Sequence, residues 1–214
     1  PDTRVTLRQA PGKSNVWYSQ AVETTEFWVL DIETAGGVWD SFPDGFDLLM
    51  TGLDYGSDSQ VYTATAESLG SLADSLDAYK GTIVTYNGTS FDIPILKRYF
   101  AKVLSRPLKI HDHYDLLLEI YNKAGRRISL DKVCYYSFGE RKMPWDHRRN
   151  RQVWEENPEL LIKYNRVDLE LTSKLYERVL ANKPLFLGDS TVVLPLPQKQ
   201  LRLNLSEGDS HERE

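Results

Sequence analysis

The sequence predicts an α/β fold in which a mixed sheet, an antiparallel meander followed by parallel strands, carries helices on its faces. Two observations predict it. Three short runs rich in branched and aromatic residues come first, at 27–34, 46–55 and 60–65. Helical and strand-like segments then alternate, the pattern of a sheet with crossover connections.

Residues 1–25 show no sustained period and carry turn formers at Pro11-Gly12, so they read as an N-terminal arm with room for one strand. The main domain is assigned to 26–183. Its first strand, Phe27-Trp28-Val29-Leu30 leading into Asp31-Ile32-Glu33-Thr34, is buried in character and ends at Gly36-Gly37. The runs at 46–55 and 60–65 flank Gly56-Ser57-Asp58-Ser59, a hairpin signal. Leu69, Leu72, Ala73 and Leu76 fall at helical spacing within 67–79, and Gly81 interrupts before a strand at 82–86. A helix over 90–103 follows, with Ile93, Leu96, Tyr99, Phe100 and Val103 on one face and Pro94 tolerated in the first turn.

A strand is predicted at 108–111, helices at 115–124 and 130–138, and a basic loop at 139–150. In the final helix, 158–180, Leu161, Tyr164, Val167, Leu171, Leu175 and Val179 recur every three or four residues, with Asn157 as the N-cap. Residues 184–214 form a C-terminal tail, of which 206–214 are polar enough to be disordered.

Composition excludes several function classes. With 41% hydrophobic and 27% charged residues the chain can build a core, and no run approaches the ~18 apolar residues of a spanning helix. No apolar signal-peptide core opens the chain. The single cysteine, Cys134, excludes an internal disulfide framework and any CxxC motif, reads as a small core residue, and fits a cytoplasmic location. The five tryptophans read mostly as packing. Net charge is −5, yet residues 123–151 hold nine Lys/Arg against three acids, leaving −11 elsewhere. Arg126, Arg127, Arg141, Lys142, Arg148, Arg149 and Arg151 lie there among Tyr135, Tyr136, Phe138, Trp145 and Trp154, which suits a phosphate-tracking surface and equally a solvated charged face.

Three acidic signals sit where a site could assemble. Asp31-x-Glu33 points two acids to one face of an otherwise apolar strand, an arrangement too costly to bury unless protons or cations compensate it. At a solvated strand end the same pair would be unremarkable. Asp92 ends Tyr86-Asn87-Gly88-Thr89-Ser90-Phe91-Asp92, which joins a strand to a helix; an acid there also complements the helix dipole without further purpose. Tyr164 and Asp168 lie one helical turn apart, although a tyrosine on that face is also ordinary core. The run His111-Asp112-His113-x-Asp115 reads as a strand-end loop near the site, with Asp115 starting the next helix, rather than as a metal cluster.

Taken together, Asp31-x-Glu33, Asn87-x-x-x-Phe91-Asp92 and Tyr164-x-x-x-Asp168 resemble the three motifs of the DEDD superfamily of 3′→5′ exonucleases, in its tyrosine branch. Lys163 stands where the histidine branch would place its histidine, and the flow from Ile128-Ser129-Leu130-Asp131 to Gly139 is most similar to proofreading exonuclease domains of family B DNA polymerases. The resemblance spans 27–180 and implies a ribonuclease-H-like fold. It also implies metal-dependent 3′→5′ hydrolysis of DNA, at single-stranded or frayed 3′ ends, in replication or repair. Two Mg²⁺ or Mn²⁺ ions would be held by Asp31, Glu33, Asp92 and Asp168, with Asp31 bridging and Tyr164 orienting the attacking water. Asn87 and Phe91, with Thr34, would shape the terminal-nucleotide pocket, and Arg148, Arg149 and Arg151 would bind the strand. An exoribonuclease on the same fold, a non-catalytic nucleic-acid or clamp-binding adaptor, and a proofreading domain of a longer polymerase are the rival readings. In the tail, Gln200, Leu201, Leu203 and Leu205 resemble the bacterial sliding-clamp-binding peptide, whose alternate side chains fill surface pockets; an edge strand on its own domain is the alternative.

Overall fold

The computed structural model describes residues 6–9, 17–20, 27–56 and 58–197. In the arm, β1 (Thr6–Gln9) and β2 (Trp17–Gln20) pair antiparallel, two strands where one was expected. The main sheet is built from β3 (Phe27–Gly36), β4 (Phe46–Asp54), β5 (Ser59–Thr63), β6 (Thr82–Thr85) and β7 (Asp112–Asp115), in the order β5-β4-β3-β6-β7. β3, β4 and β5 form the antiparallel meander, and β6 and β7 run parallel to β3.

Alternation along β3 decides which face receives which residues. Leu30 and Ile32 join a core with Leu69, Leu72 and Leu76 of α1 (Ala66–Ala78) and with Ile95 and Leu96 of α2 (Asp92–Tyr99), which continues as a π-helical turn, Phe100–Leu104. Val29 points the other way, into a core with Ile120 of α3 (Leu116–Ala124), Val133 and Cys134 of α4 (Leu130–Phe138), and Leu171, Leu175 and Val179 of α6 (Pro158–Leu180). Asp31 and Glu33 share that second face by the same period of two, so both carboxylates are aimed at α6. Ala35, Leu49 and Met50 close this face beyond them, packing on Leu161 and Tyr164 of α6 and on Val153 of α5 (Asn150–Glu156). A bulge between Glu33 and Thr34, where β4 carries one extra residue, puts the adjacent Leu49 and Met50 in the same cluster.

Local chemistry explains most helix starts. Thr65 and Ser129 accept hydrogen bonds from Ser68 N and Lys132 N, capping α1 and α4, and Asp115 caps α3 through Leu117 N and Leu118 N. Asn157 occupies the cap position of α6 without a side-chain bond; Pro158 in the first turn has no N–H to satisfy there.

Two further assignments move. The strand predicted at 108–111 lies at Asp112–Asp115, because β7 is aligned by polar bonds to its neighbour: Thr82 Oγ1 donates to Asp112 Oδ2 (2.6 Å), and Thr85 Oγ1 meets His113 Nε2 (2.9 Å). Leu108 and Ile110, whose alternation suggested the strand, pack before it against the α1–α2 core. The basic loop at 139–150 closes into a short 3-10 turn, His147–Arg149, and α5. Past residue 183 the chain is not yet free of the domain: β8 (Leu185–Phe186) and β9 (Thr191–Val192) form a hairpin, Leu185, Leu187 and Leu194 are buried in the α6 core, and Tyr114 Oη donates to Pro195 O (2.7 Å). Residues 200–205 and 206–214 lie outside the described residues.

Candidate active site

β3 and β6 are parallel, so their C-terminal ends open on the same side of the sheet, and the acids collect there. One carboxylate oxygen from each of Asp31, Glu33 and Asp168 lies within 4.8 Å of the others. Asp92, in the first turn of α2, stands beside them: its Oδ1 accepts a hydrogen bond from Ile32 N, between the two acids of β3, at 3.1 Å. The structure therefore brings together the four acids that the sequence scattered over 138 positions.

Two amides fix the carboxylates. Asn165 Nδ2 donates to Asp31 Oδ2 (2.7 Å), while Asn150 Nδ2 donates to Glu33 Oε2 (3.1 Å) and to Thr34 O (2.9 Å). Asn150 is held in turn by Trp145, whose Nε1 donates to its Oδ1 (2.6 Å). Asn165 needs room above β4, and Gly52, the register partner of Asp31, supplies it: a Cβ there would lie 1.9 Å from Asn165 Oδ1. Both asparagines are fully buried polar residues.

The ring of Tyr164 is core, 1% exposed and stacked on Trp145 at 4.6 Å. Its hydroxyl is polar-paired with Asp168 and with Lys142, so the tyrosine is both a packing residue and part of the site. Lys142 reaches in from the basic loop, its Nζ 2.5 Å from Asp168 Oδ2, and the loop is pinned by Lys142 N donating to Asp131 Oδ1 (3.0 Å). Asp168 Oδ1 is buried and has no hydrogen-bond partner. An unsatisfied buried carboxylate oxygen beside two further acids fits a divalent cation, for which carboxylate oxygens are suitable hard ligands.

The electrostatics agree with that fit. Burial raises the Asp31 carboxyl well above its ordinary range, and Asp92, Asp168 and Glu33 push it further. Glu33 is pushed up to about 8, by burial and then by Asp168; Asp92 is pushed up to about 7, mainly by burial. Burial also raises Asp168, with Lys142 opposing. For Lys142 burial acts downward, but Asp168 and Tyr164 outweigh it and hold the ammonium charged. Clustered acids of this kind take up protons unless cations neutralise them.

A cleft of about 360 Å³ opens on Asp31 and Asp168, with Lys142, Asn87 and Arg127 among its walls. Asn87 adopts φ 76°, its N–H bonds Asp115 Oδ1 (2.9 Å), and its side-chain oxygen accepts from Arg127. Asp115 also accepts from Thr89 N (2.9 Å), so it shapes the turn between β6 and α2 as well as capping α3. Among the described residues the run at 111–115 gathers no ligand set, its polar atoms being spent on Lys80, Thr82 and Thr85.

The other predicted binding residues are dispersed. Thr34 adjoins the site through its carbonyl, and Phe91 packs in an aromatic group with Phe42 and Phe46. Arg148 pairs with Asp146 and Arg151 with Asp47, so part of the basic stripe's charge is already matched; Arg149 is exposed. Sequence reasoning counted Lys142 only within that stripe and missed Asn150 and Asn165 altogether. For Asn165 a signal existed: it lies four residues after Leu161 on the buried face of α6, a polar residue at a core position. No spacing marked Lys142 or Asn150.

A sequence profile of the RNase H superfamily matches residues 29–180. Among solved structures, the family B DNA polymerase from the hyperthermophilic archaeon Pyrobaculum calidifontis superposes with a TM-score of 0.59 at 19% sequence identity, over 82% of this chain and 28% of the polymerase chain. At that identity the likeness is one of fold, and this chain spans little more than a quarter of the polymerase. No curated protein matches the chain.

Proposed function

The chain belongs to the RNase H superfamily, and from that premise we propose that it is a metal-dependent 3′→5′ exonuclease that removes nucleotides from single-stranded or frayed DNA 3′ ends. The observation that carries this reading is the convergence of Asp31, Glu33 and Asp168 within 4.8 Å, with Asp92 alongside, at a cleft that also presents cationic side chains. A module that only bound nucleic acid would gain nothing from four acids facing phosphates, because repulsion would oppose binding.

Asp31, Glu33, Asp92 and Asp168 would hold two Mg²⁺ or Mn²⁺ ions, which when bound activate water and stabilise the leaving 3′-oxygen. The remaining work falls to the chain's own residues. Asn165 and Asn150 keep the Asp31 and Glu33 carboxylates from rotating out of position. The Tyr164 hydroxyl, next to Asp168, orients the nucleophilic water. Lys142 provides positive charge where the phosphate gains negative charge in the transition state. Asn87 and Arg127, on the cleft wall, face the terminal nucleotide.

The test is incubation of 3′- and 5′-labelled DNA and RNA strands with Mg²⁺, Mn²⁺ or EDTA. A 5′-labelled DNA strand should shorten stepwise from its 3′ end only with metal, and Asp31→Asn and Asp168→Asn should each nearly abolish cleavage while remaining folded. Cleavage in excess EDTA, or undiminished in either variant, would overturn the mechanism; faster cleavage of RNA would move the substrate to that polymer. A cytoplasmic setting and engagement of a sliding clamp through Gln200, Leu201, Leu203 and Leu205 are part of the same reading. Deleting residues 198–214 should remove clamp stimulation on primed circles and spare cleavage of short oligonucleotides.

A further inference from the structure

Asn87 holds a left-handed backbone conformation, φ 76°, on the wall of the candidate active-site cleft. That region is unfavourable for a residue with a Cβ, although asparagine enters it more readily than most, and a residue stays there only where its surroundings dictate it. Here they do. Three successive amides of the turn are taken up by side chains: Asn87 N donates to Asp115 Oδ1 (2.9 Å), Gly88 N to Thr85 Oγ1 (3.2 Å) and Thr89 N to Asp115 Oδ2 (2.9 Å). Thr85 Oγ1 is met in turn by His113 Nε2 (2.9 Å). The turn is thus tied back to β6 and β7, and the Asn87 side chain is left to the cleft, where its oxygen accepts from Arg127.

Asp115 does more here than a helix cap requires. Capping needs one oxygen, which Thr65 and Ser129 supply to α1 and α4 with a hydroxyl. Asp115 caps α3 through Oδ1 alone, to Leu117 N (3.0 Å) and Leu118 N (3.3 Å), and its Oδ2 serves only Thr89 N. Burying a carboxylate, 5% exposed, is costly unless hydrogen bonds compensate it, and the two from the turn are half of the four backbone bonds it accepts. The tether, not the cap, accounts for an acid at this position. Asp92, at the far end of the same turn, is fixed separately by Ile32 N of β3 (3.1 Å). The substrate-facing and metal-facing ends of the turn therefore have independent supports.

We propose that Asp115 is a positioning residue for the substrate: it holds the turn at 87–89 so that the Asn87 amide meets the terminal nucleotide, and it sets affinity for the strand without touching strand or metal. This rests on the nuclease reading above.

The test follows cleavage of a dodecathymidylate with Mn²⁺, Mn²⁺ binding by calorimetry and thermal melting in the same variants. Asp115→Ser keeps a good cap for α3 but cannot bridge Asn87 N and Thr89 N as well. Its KM should rise about tenfold with kcat within about twofold of the parent, the mark of lost substrate binding. Its Mn²⁺ affinity should equal the parent's, because Asp92 retains its bond to β3. Asn87→Gly removes the amide while suiting the positive φ, so it should raise KM by a similar factor, and adding Asp115→Ser to it should cost little more. If Asp115→Ser does not fold, Asp115→Asn reads the same effect at smaller size, since it keeps Oδ1 and loses only the acceptor for Thr89 N. An unchanged KM in a folded variant, even with a lowered melting temperature, would make Asp115 a cap only and overturn the proposal. Additive KM losses in the double variant would overturn it too, as would weakened Mn²⁺ binding, which would place the effect at Asp92. If the parent does not cleave the strand, the nuclease reading fails and the positioning role with it.

Discussion

The Lys142 ammonium lies 2.5 Å from Asp168 Oδ2, at the edge of a cluster in which Asp31, Glu33 and Asp92 all have raised pKa values. A cation is thus placed by the chain itself against the carboxylate that shares a helical turn with Tyr164. It offsets part of the clustered charge, and its partner's second oxygen is left unsatisfied for another cation.

Removing that ammonium should separate catalysis from folding. Lys142→Met keeps most of the aliphatic stem and loses the charge, so kcat should fall by about 10²–10³-fold, the range seen when a group aimed at developing negative charge is deleted. The variant should remain folded because Asp168 can protonate instead. Single-turnover cleavage alongside thermal melts checks both points; an unchanged rate would make Lys142 a structural counterion only.

Tyr164→Phe asks a narrower question. The ring stays stacked on Trp145 and only the hydroxyl next to Asp168 and Lys142 is lost, so stability should change by no more than about 1 kcal/mol, the net worth of a typical hydrogen bond. The cleavage rate should nevertheless drop at least tenfold if the hydroxyl positions water. Equal rates in parent and variant would return Tyr164 to the core.

The fold was more legible than the site, for a physical reason. Strand and helix periods survive in sequence because every turn repeats them, as Leu161, Leu171 and Leu175 do on α6. The strand at 112–115 was misplaced because its partners lie in β6, 30 residues earlier, and hydrogen bonds such as Thr82 to Asp112 leave no periodic trace. The same applies to the site. Asp31 and Glu33 stood out as acids on an apolar strand, and Asp92 and Asp168 through the order of the three motifs, whereas Lys142 and Asn150 sit in a loop and a short helix where polar residues violate nothing.

Raised carboxyl pKa values give a pH signature. Burial and the neighbouring acids push the Glu33 carboxyl up to about 8, and burial pushes Asp92 up to about 7, from ordinary values of 4.5 and 3.8. Between those limits the folded protein keeps protons that the unfolded chain has lost, so stability of the metal-free protein must fall as pH rises from about 4 toward 8. Its Tm should be lower at pH 8 than at pH 5.5, and Mn²⁺ should raise it more at the higher pH, because binding must otherwise displace protons. Calorimetric titration in two buffers of different ionisation enthalpy should register proton release near pH 6.5. A Tm independent of pH in EDTA, or metal binding without proton release, would contradict the charged cluster.

Gly52 links the backbone to the chemistry without touching a substrate. It faces Asp31 across the β3–β4 ladder, and a Cβ at this position would lie 1.9 Å from Asn165 Oδ1 and 2.9 Å from Leu169 Cδ1. Gly52→Ala must therefore push α6 outward or turn the Asn165 amide away, and overpacking of this kind costs about 1–3 kcal/mol. Either response breaks the bond from Asn165 Nδ2 that holds Asp31, and loss of such a supporting bond typically weakens metal binding about 10- to 100-fold. The variant should fold, bind Mn²⁺ more weakly by calorimetry, and regain activity at high metal concentration. Asn165→Ala in the Gly52→Ala background should then add little further loss, since both changes remove the same support. Additive losses in the double variant would show that the two residues act independently and that Gly52 serves only to let α6 approach the sheet.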